Sequence, residues 1–144
     1  MIVRDLRADD RAQWRPLWRA YLAFYENDLP DGITQLTLRR LLDPAEPMFA
    51  LVAEKDGALA GFAHCVLHRG TWTAGDHCYL EDLFVAADQR GSGAGRALVE
   101  AVYKRADALK CERVYWVTHQ TNHAAQALYE KVARRMEFIQ YRRD

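Results

Sequence analysis

The feature that most constrains this chain is the run Arg90-Gly91-Ser92-Gly93-Ala94-Gly95-Arg96, set between a β-rich segment and a helical one. Upstream, Cys78 to Val85 has strand character. Downstream, Leu98, Val99, Val102, Tyr103, Ala106 and Leu109 recur at helical spacing. A glycine-rich turn that leaves a strand and opens a helix presents consecutive backbone N–H groups, and the positive end of the helix dipole, to an anion. Glycine lets the backbone take unusual torsions there and lets a phosphate approach the amides closely. Two familiar phosphate motifs fail on spacing. The dinucleotide fingerprint needs a glycine where Arg96 stands, and the P-loop needs a Gly-Lys-Ser/Thr ending that is missing. A mere flexible loop would account for glycines alone, but their placement favours a pyrophosphate site.

The rest of the chain supplies the layers around this turn. Ile2 to Arg4 reads as a short strand, and Asp9 or Asp10 offers an N-cap to the helix that follows. In that helix Trp14, Leu17, Trp18, Tyr21, Leu22 and Tyr25 form one apolar stripe, with Arg11, Arg15 and Arg19 elsewhere. Pro30 and Gly32 interrupt it, Thr34 is placed to cap a second helix through Leu42, and Pro44 to Pro47 ends that helix. From Phe49 two strands flank an Asp56-Gly57 hairpin turn, the strongest antiparallel signal in the chain. Beyond the glycine turn and its helix, Val114 to Thr118 reads as a buried strand, Asn122 to Val132 as a helix, and Phe138 to Tyr141 as a closing strand. The pattern predicts one α/β (α+β) domain over 1–144: a mixed, mostly antiparallel sheet with helices on its faces.

Composition narrows the function. Half the residues are apolar, enough for a sizeable core, and Lys plus Arg equals Asp plus Glu at 20 each. A balanced charge gives the whole molecule no attraction to nucleic acid or to an anionic membrane. No apolar run is long enough to span a bilayer and the first residues carry no leader pattern, so a cytoplasmic location is expected. Cys65, Cys78 and Cys111 form no CxxC pair, which suits reduced thiols packed in the core. His64, His68, His77, His119 and His123 have no metal-ligand spacing, and no metal is expected.

Several segments together resemble the GNAT superfamily of N-acetyltransferases. Its Arg/Gln-x-x-Gly-x-Gly/Ala hallmark is matched by Arg90, Gly93 and Gly95. Asn122 followed by Ala125, Leu128, Tyr129 and Lys131 resembles the family's Asn-x-x-Ala-x-x-Leu-Tyr-x-Lys segment. Tyr79-Leu80-Glu81-Asp82-Leu83-Phe84-Val85 and Tyr25-Glu26 are similar to segments of the diamine (spermidine/spermine, thialysine) acetyltransferases. Where the family commonly continues with Gly-Phe after the tyrosine helix, this chain has Val132-Ala-Arg-Arg-Met-Glu-Phe138, which puts the last strand and the dimer contacts at issue.

The resemblance implies a GNAT-like fold, acetyl-CoA as cosubstrate, a small-molecule primary amine (polyamine-like or amino-acid) as acceptor, and a homodimer. In the reaction it implies, the amine attacks the thioester directly, which calls for a base, a polariser of the carbonyl and an acid for the departing thiolate. Glu81 is the candidate base, working through a water, and Tyr129 the candidate acid; a charged sheet-edge residue and a core aromatic are their plain alternatives. In a regular strand Asp82 would point to the opposite face from Glu81. The amides of Leu83, Phe84 and Val85 are expected to polarise the carbonyl and pair with the pantetheine. The turn Arg90, Gly91, Ser92, Gly93, Ala94, Gly95 and Arg96 is expected to hold the pyrophosphate, and Asn122 the pantetheine unless it is only an N-cap. Tyr25, Glu26, Glu81 and Asp82 are the expected acceptor-binding residues, with Asp28 and Asp31 adding to an acidic mouth; Arg134, Arg135, Arg142 and Arg143 either reach the adenosine phosphates or stay solvated. Three other readings compete: an acyl-carrying thiol at Cys65 or Cys78 activated by His64 or His77, a nonenzymatic acetyl-CoA sensor, and a protein or histone acetyltransferase.

Overall fold

The structure, a computed structural model, describes residues 1–144. Five strands, β1 (Ile2–Asp5), β2 (Met48–Lys55), β3 (Ala58–His68), β4 (His77–Val85) and β5 (Arg113–Tyr115), form one sheet in sequence order. The first three pairings are antiparallel and β4–β5 is parallel, joined through helix α3 (Ala94–Ala108). The β2–β3 hairpin turns at Asp56-Gly57, both at positive φ (52° and 79°), the backbone that an Asp-Gly pair favours.

Helices α1 (Arg11–Phe24) and α2 (Asp31–Leu42) cover one face of the sheet. Trp14, Trp18 and Leu22 of α1, with Leu38 and Leu41 of α2, pack on Ala50, Val52, Leu59, Phe62 and Phe84. On the other face Ala94, Leu98, Val99, Val102 and Ala106 of α3 meet Leu51, Ala53, Ala63, Cys65, Cys78 and Leu80. Helix α4 (His123–Val132) lies beside α3, where the Leu128 side chain would be 3.2 Å from a Cβ at Gly95, so Gly95 serves close helix packing. No helix is long and apolar enough to cross a membrane.

Four local expectations are corrected. Asp10 precedes α1 but does not cap it. Its carboxylate takes the Arg4 guanidinium at 2.8 and 2.9 Å and the Arg7 amide at 2.8 Å, because a bidentate charged donor outweighs one helix-end amide. Thr34 is not a cap either: α2 starts at Asp31, straight after Pro30, and buried Thr34 Oγ1 accepts a hydrogen bond from Trp18 Nε1 (3.1 Å). The strand expected over Val114 to Thr118 ends at Tyr115, and Phe138 to Tyr141 forms no strand, with Phe138, Ile139 and Tyr141 exposed. Both β-branched and aromatic segments have strand propensity, but neither finds a neighbouring strand to complete its ladder.

Candidate active site

The site begins with an irregularity in β4. Its partner residues on β3 run Gly61↔Val85, Phe62↔Phe84, Ala63↔Leu83 and His64↔Asp82, then jump to Cys65↔Leu80. Glu81 is therefore the extra residue of a β-bulge, a device that bends and twists a strand and re-aims side chains. Leu80 and Leu83, on either side, pack toward α3. Asp82 faces the α1 side, where it meets His64 and the Tyr21 hydroxyl, and the Glu81 charge beside it also acts on Tyr21. The expectation that Asp82 would point away from Glu81 assumed a regular strand, and the bulge breaks that regularity.

The bulge also marks where the sheet splits. β5 pairs with β4 only at His77, Cys78 and Tyr79, and from Glu81 onward β4 is paired on its β3 side alone. Ala86 N–H donates to Ala60 O, and Phe84 O lies against the Gly61 backbone, so even-numbered residues here face β3. By two-residue alternation the backbone groups of Leu83 and Val85 face the opening. Of the three amides expected to serve a pantetheine arm, Leu83 and Val85 are free to do so and Phe84 is spent in the sheet. Across the opening, in the segment after β5, the Thr118 hydroxyl is buried without a hydrogen-bond partner.

At the end of β4 the glycine turn leads into α3. Gly91 and Gly93 stand at φ 81° and 87°, the left-handed region where a Cβ is penalised, and Gly93 is the residue before the helix. The N–H groups of Gly91, Gly93, Ala94, Gly95 and Arg96 have no partner in the chain, whereas Ser92 closes a turn on Gln89 O through its N–H and Oγ. Unpaired amides converging on a helix N-terminus fit a pyrophosphate. The two arginines of the motif do not join them: Arg96 pairs with Glu100 at 2.9 Å, and the Arg90 guanidinium lies over the Phe24 and Phe84 rings, 5.8 and 6.0 Å from their centroids. Arg90 thus sits on the α1 side of the sheet. Asn122 is the N-cap of α4, its Oδ1 accepting from the Ala125 amide at 3.4 Å, and its amide nitrogen is uncommitted.

Tyr129, on α4, meets Trp116 edge to face, with ring centroids 5.3 Å apart. Burial pushes its hydroxyl up to about 12, and Tyr25 at the end of α1 adds to the shift. Tyr25 in turn is raised by burial and by Asp82. Glu81 as a residue is exposed, yet its carboxyl is raised, first by partial desolvation and then by Asp82. A carboxyl raised this way is suited to take a proton from an ammonium group. Glu26 follows α1 at φ 53°, exposed, and its carboxylate makes no hydrogen bond. Asp31 leaves the acidic mouth, engaged by Arg15 and by Gln35 at 2.9 Å. Arg142 pairs with Asp144, and the C-terminal arginines are exposed.

Sequence reasoning missed what stands behind Asp82. His64 is 2% exposed and gives its Nδ1 to Asp82 Oδ2 at 2.9 Å, while its Nε2 accepts from Trp14 Nε1 at 3.0 Å. These residues are 18 and 50 positions apart, so no local pattern reveals the contact. The thiol reading is overturned by the same geometry. Cys65 and Cys78 are fully buried neighbours on the α3 face, where the Cys65 thiol is pushed up by its hydrogen bond with Cys78 and by burial, the same bond lowers Cys78, and His64 serves the opposite face.

A split mixed sheet, free strand-edge amides and an anion-ready helix N-terminus define the class as coenzyme A-dependent acyltransferases. The Acetyltransferase (GNAT) family pattern matches residues 5–133, and the chain belongs to that family. Among curated proteins it is 36% identical over 146 residues to the D-amino-acid N-acetyltransferase HPA3 of Saccharomyces cerevisiae, spanning 100% of this chain and 91% of that one. It is 29% identical to the uncharacterised N-acetyltransferase YhfO of Bacillus subtilis, over 91% of this chain and 87% of the other. Among solved structures, a ribosomal-protein-alanine N-acetyltransferase from Brucella melitensis superposes with a TM-score of 0.81 at 22% identity, covering 100% and 99% of the two chains. The aminoglycoside acetyltransferase AAC(6')-Iy, bound to a bisubstrate analogue, gives 0.86 at 20% identity over 99% and 97%. The fold is the mixed α/β GNAT fold, and the protein is an acetyl-CoA-dependent N-acetyltransferase.

Proposed function

We propose that the protein acetylates the primary amine of a small molecule, with an amino acid ahead of a polyamine as acceptor. The observation that carries this is the bulged Glu81-Asp82 pair of β4, beside the free strand edge. Two carboxylates recognise an ammonium group. The Arg90 guanidinium, held over Phe24 and Phe84 on the α1 side, supplies a partner for a carboxylate, which an amino acid has and a diamine lacks. The similarity to a D-amino-acid N-acetyltransferase supports the same choice over the diamine type.

Acetyl-CoA supplies the thioester, whose C–S bond breaks as the amine forms its C–N bond. The unpaired amides of Gly91, Gly93, Ala94, Gly95 and Arg96 would hold its pyrophosphate, and those of Leu83 and Val85, with Asn122 and Thr118, its pantetheine arm. Glu81 takes the ammonium proton, through a water, so that the nitrogen presents its lone pair. Tyr129, fully protonated at working pH because its hydroxyl is pushed up to about 12, donates a proton to the leaving sulfur. Tyr25 and Asp82 orient the acceptor.

Coenzyme A release is the direct test, across D- and L-amino acids, their decarboxylated amines, polyamines, aminoglycosides and basic peptides at mildly alkaline pH. The expected result is turnover with amino acids above the matching decarboxylated amines; a preference for polyamines or peptides would reject the amino-acid reading, and silence with every amine would reject the small-molecule reading. Glu81→Gln should lower kcat/KM by roughly 10²-fold, the scale of general-base catalysis. Because the Glu81 carboxyl is raised, the wild-type rate should fall with acidification at a higher pH than an ordinary glutamate would set, and that limb should disappear in the variant. An unaltered pH profile would return Glu81 to a structural role.

A further inference from the structure

The geometry points to His64 as a positioning residue for the acceptor: Trp14 fixes its tautomer, and in that tautomer it holds one oxygen of Asp82 so that the carboxylate faces the acceptor ammonium. This inference rests on the acceptor site proposed above, and it adds a buried chain of three side chains from α1 through β3 to the bulge.

The order of donors along the chain follows from chemistry. An indole Nε1–H can only donate, so His64 Nε2, 3.0 Å away, must accept. The neutral imidazole then carries its proton on Nδ1 and donates it to Asp82 Oδ2 at 2.9 Å. Were the proton on Nε2, it would oppose the Trp14 N–H, and two acceptors would face each other at Asp82. Trp14 therefore sets the polarity of the whole chain. The ring has no freedom to turn away, since it stacks on Phe62 with centroids 4.2 Å apart and 13° between planes, and Trp14 and Trp18 lie within 6 Å of it.

Asp82 is shared. Oδ2 is taken by His64, and the Tyr21 hydroxyl is a second hydrogen-bond partner of the carboxylate. The Asp82 side chain is 13% exposed, so the carboxylate still reaches solvent from a mostly enclosed position. Tyr21 and Tyr25 both register the Asp82 charge, which places the carboxylate among the aromatic side chains at the end of α1. Asp82 is also the residue paired directly with His64 across the β3–β4 ladder, immediately after the bulged Glu81. The His64 contact thus ties the aimed carboxylate and the bulge to the rigid middle of the sheet. His64 cannot pass a proton onward, because its second nitrogen meets only a donor. Its role is to orient, and proton removal stays with Glu81.

The test has a spectroscopic arm and a kinetic one. In the free enzyme, ¹⁵N NMR should show His64 with a protonated pyrrole-type Nδ1 and a pyridine-type Nε2, and Trp14→Phe should turn this into a mixture of tautomers. The reverse tautomer in the wild type, or no change in Trp14→Phe, overturns the inference whatever the substrate proves to be. In kinetics His64→Phe keeps the stacked ring and loses the donor; it should raise the acceptor KM about tenfold or more while the acetyl-CoA KM stays unchanged. His64→Asn, whose amide N–H takes the place of Nδ1–H, should return the acceptor KM to within about threefold of the wild type. Should His64→Phe fail to fold, Trp14→Phe reads the same effect in the same direction. An unchanged acceptor KM in a folded variant, equal losses for both substrates, or no recovery in His64→Asn overturns the inference. A wild-type enzyme that acetylates no amine would reject the acceptor site itself and leave the NMR arm to decide the geometry.

Discussion

Tyr129→Phe should lower kcat by about 10²–10³-fold while leaving acetyl-CoA affinity nearly unchanged, the scale expected when a positioned proton donor is lost. The change removes one oxygen and keeps the ring that meets Trp116 edge to face, so the packing of α4 on the segment after β5 survives. The hydroxyl is pushed up to about 12, chiefly by burial, so it carries its proton at every pH at which the enzyme would be assayed. Two consequences follow. Below about pH 11 the basic limb of the wild-type profile should not report Tyr129, and the fractional loss in Tyr129→Phe should be nearly constant with pH. Single-turnover kinetics with saturating acetyl-CoA would measure this, and an unchanged chemical step would remove Tyr129 as the acid. The sign of the linked stability effect is equally fixed. A tyrosine whose folded value lies above its unfolded value of about 10 favours the fold below that pH and loses that contribution as the pH rises through about 12.

Phe62→Ala should cost about 3–5 kcal/mol of folding stability, the usual range for truncating a fully buried aromatic. Phe62 is 0% exposed and lies in the middle of β3, among Trp18, Tyr21, Phe84 and His64, with ring centroids between 4.2 and 6.2 Å away. A cavity there opens beneath α1 and cannot collapse without moving strands that are paired on both sides. Because small domains carry only about 5–15 kcal/mol in total, the variant should unfold at a much lower urea concentration. Phe62→Leu should lose distinctly less. Equal midpoints for Phe62→Ala and the wild type would mean that the α1 layer contributes little to the fold. Phe62 also holds the His64 ring flat, so Phe62→Ala should weaken acceptor binding even at temperatures where it remains folded.

Much of this architecture is legible in the chain. Local rules placed the Asp56-Gly57 hairpin, the apolar stripe of α1 and the glycine turn before α3, because each depends on residues within a few positions of one another. The turn is the strongest case: positive φ at Gly91 and Gly93 is a demand that the backbone makes on the residue type itself. Gly95, in contrast, answers to Leu128 on a different helix, a reason that no reading of the motif supplies. The candidate site residues were named from short motifs, which carry no geometry. Glu81, Asp82, Tyr25 and Tyr129 were singled out individually, and their gathering around one acceptor is the proposal made above. Arg90, Arg96 and Phe84 were named with the cofactor, and the structure turns their side chains or amides to other partners.

What the sequence determined by itself was the set of local conformations and the chemistry available, since turn torsions, helical periodicity and the family's spaced motif all lie within short stretches of chain. What only the tertiary structure decided was how far strands pair and which way side chains face. The jump in β4 register at Glu81 depends on β3, and the early end of β5 and the unpaired tail both depend on having no further strand residues beside them. The Trp14–His64–Asp82 chain joins three elements whose residues are far apart in sequence, and it forms because a buried imidazole must satisfy both of its nitrogens.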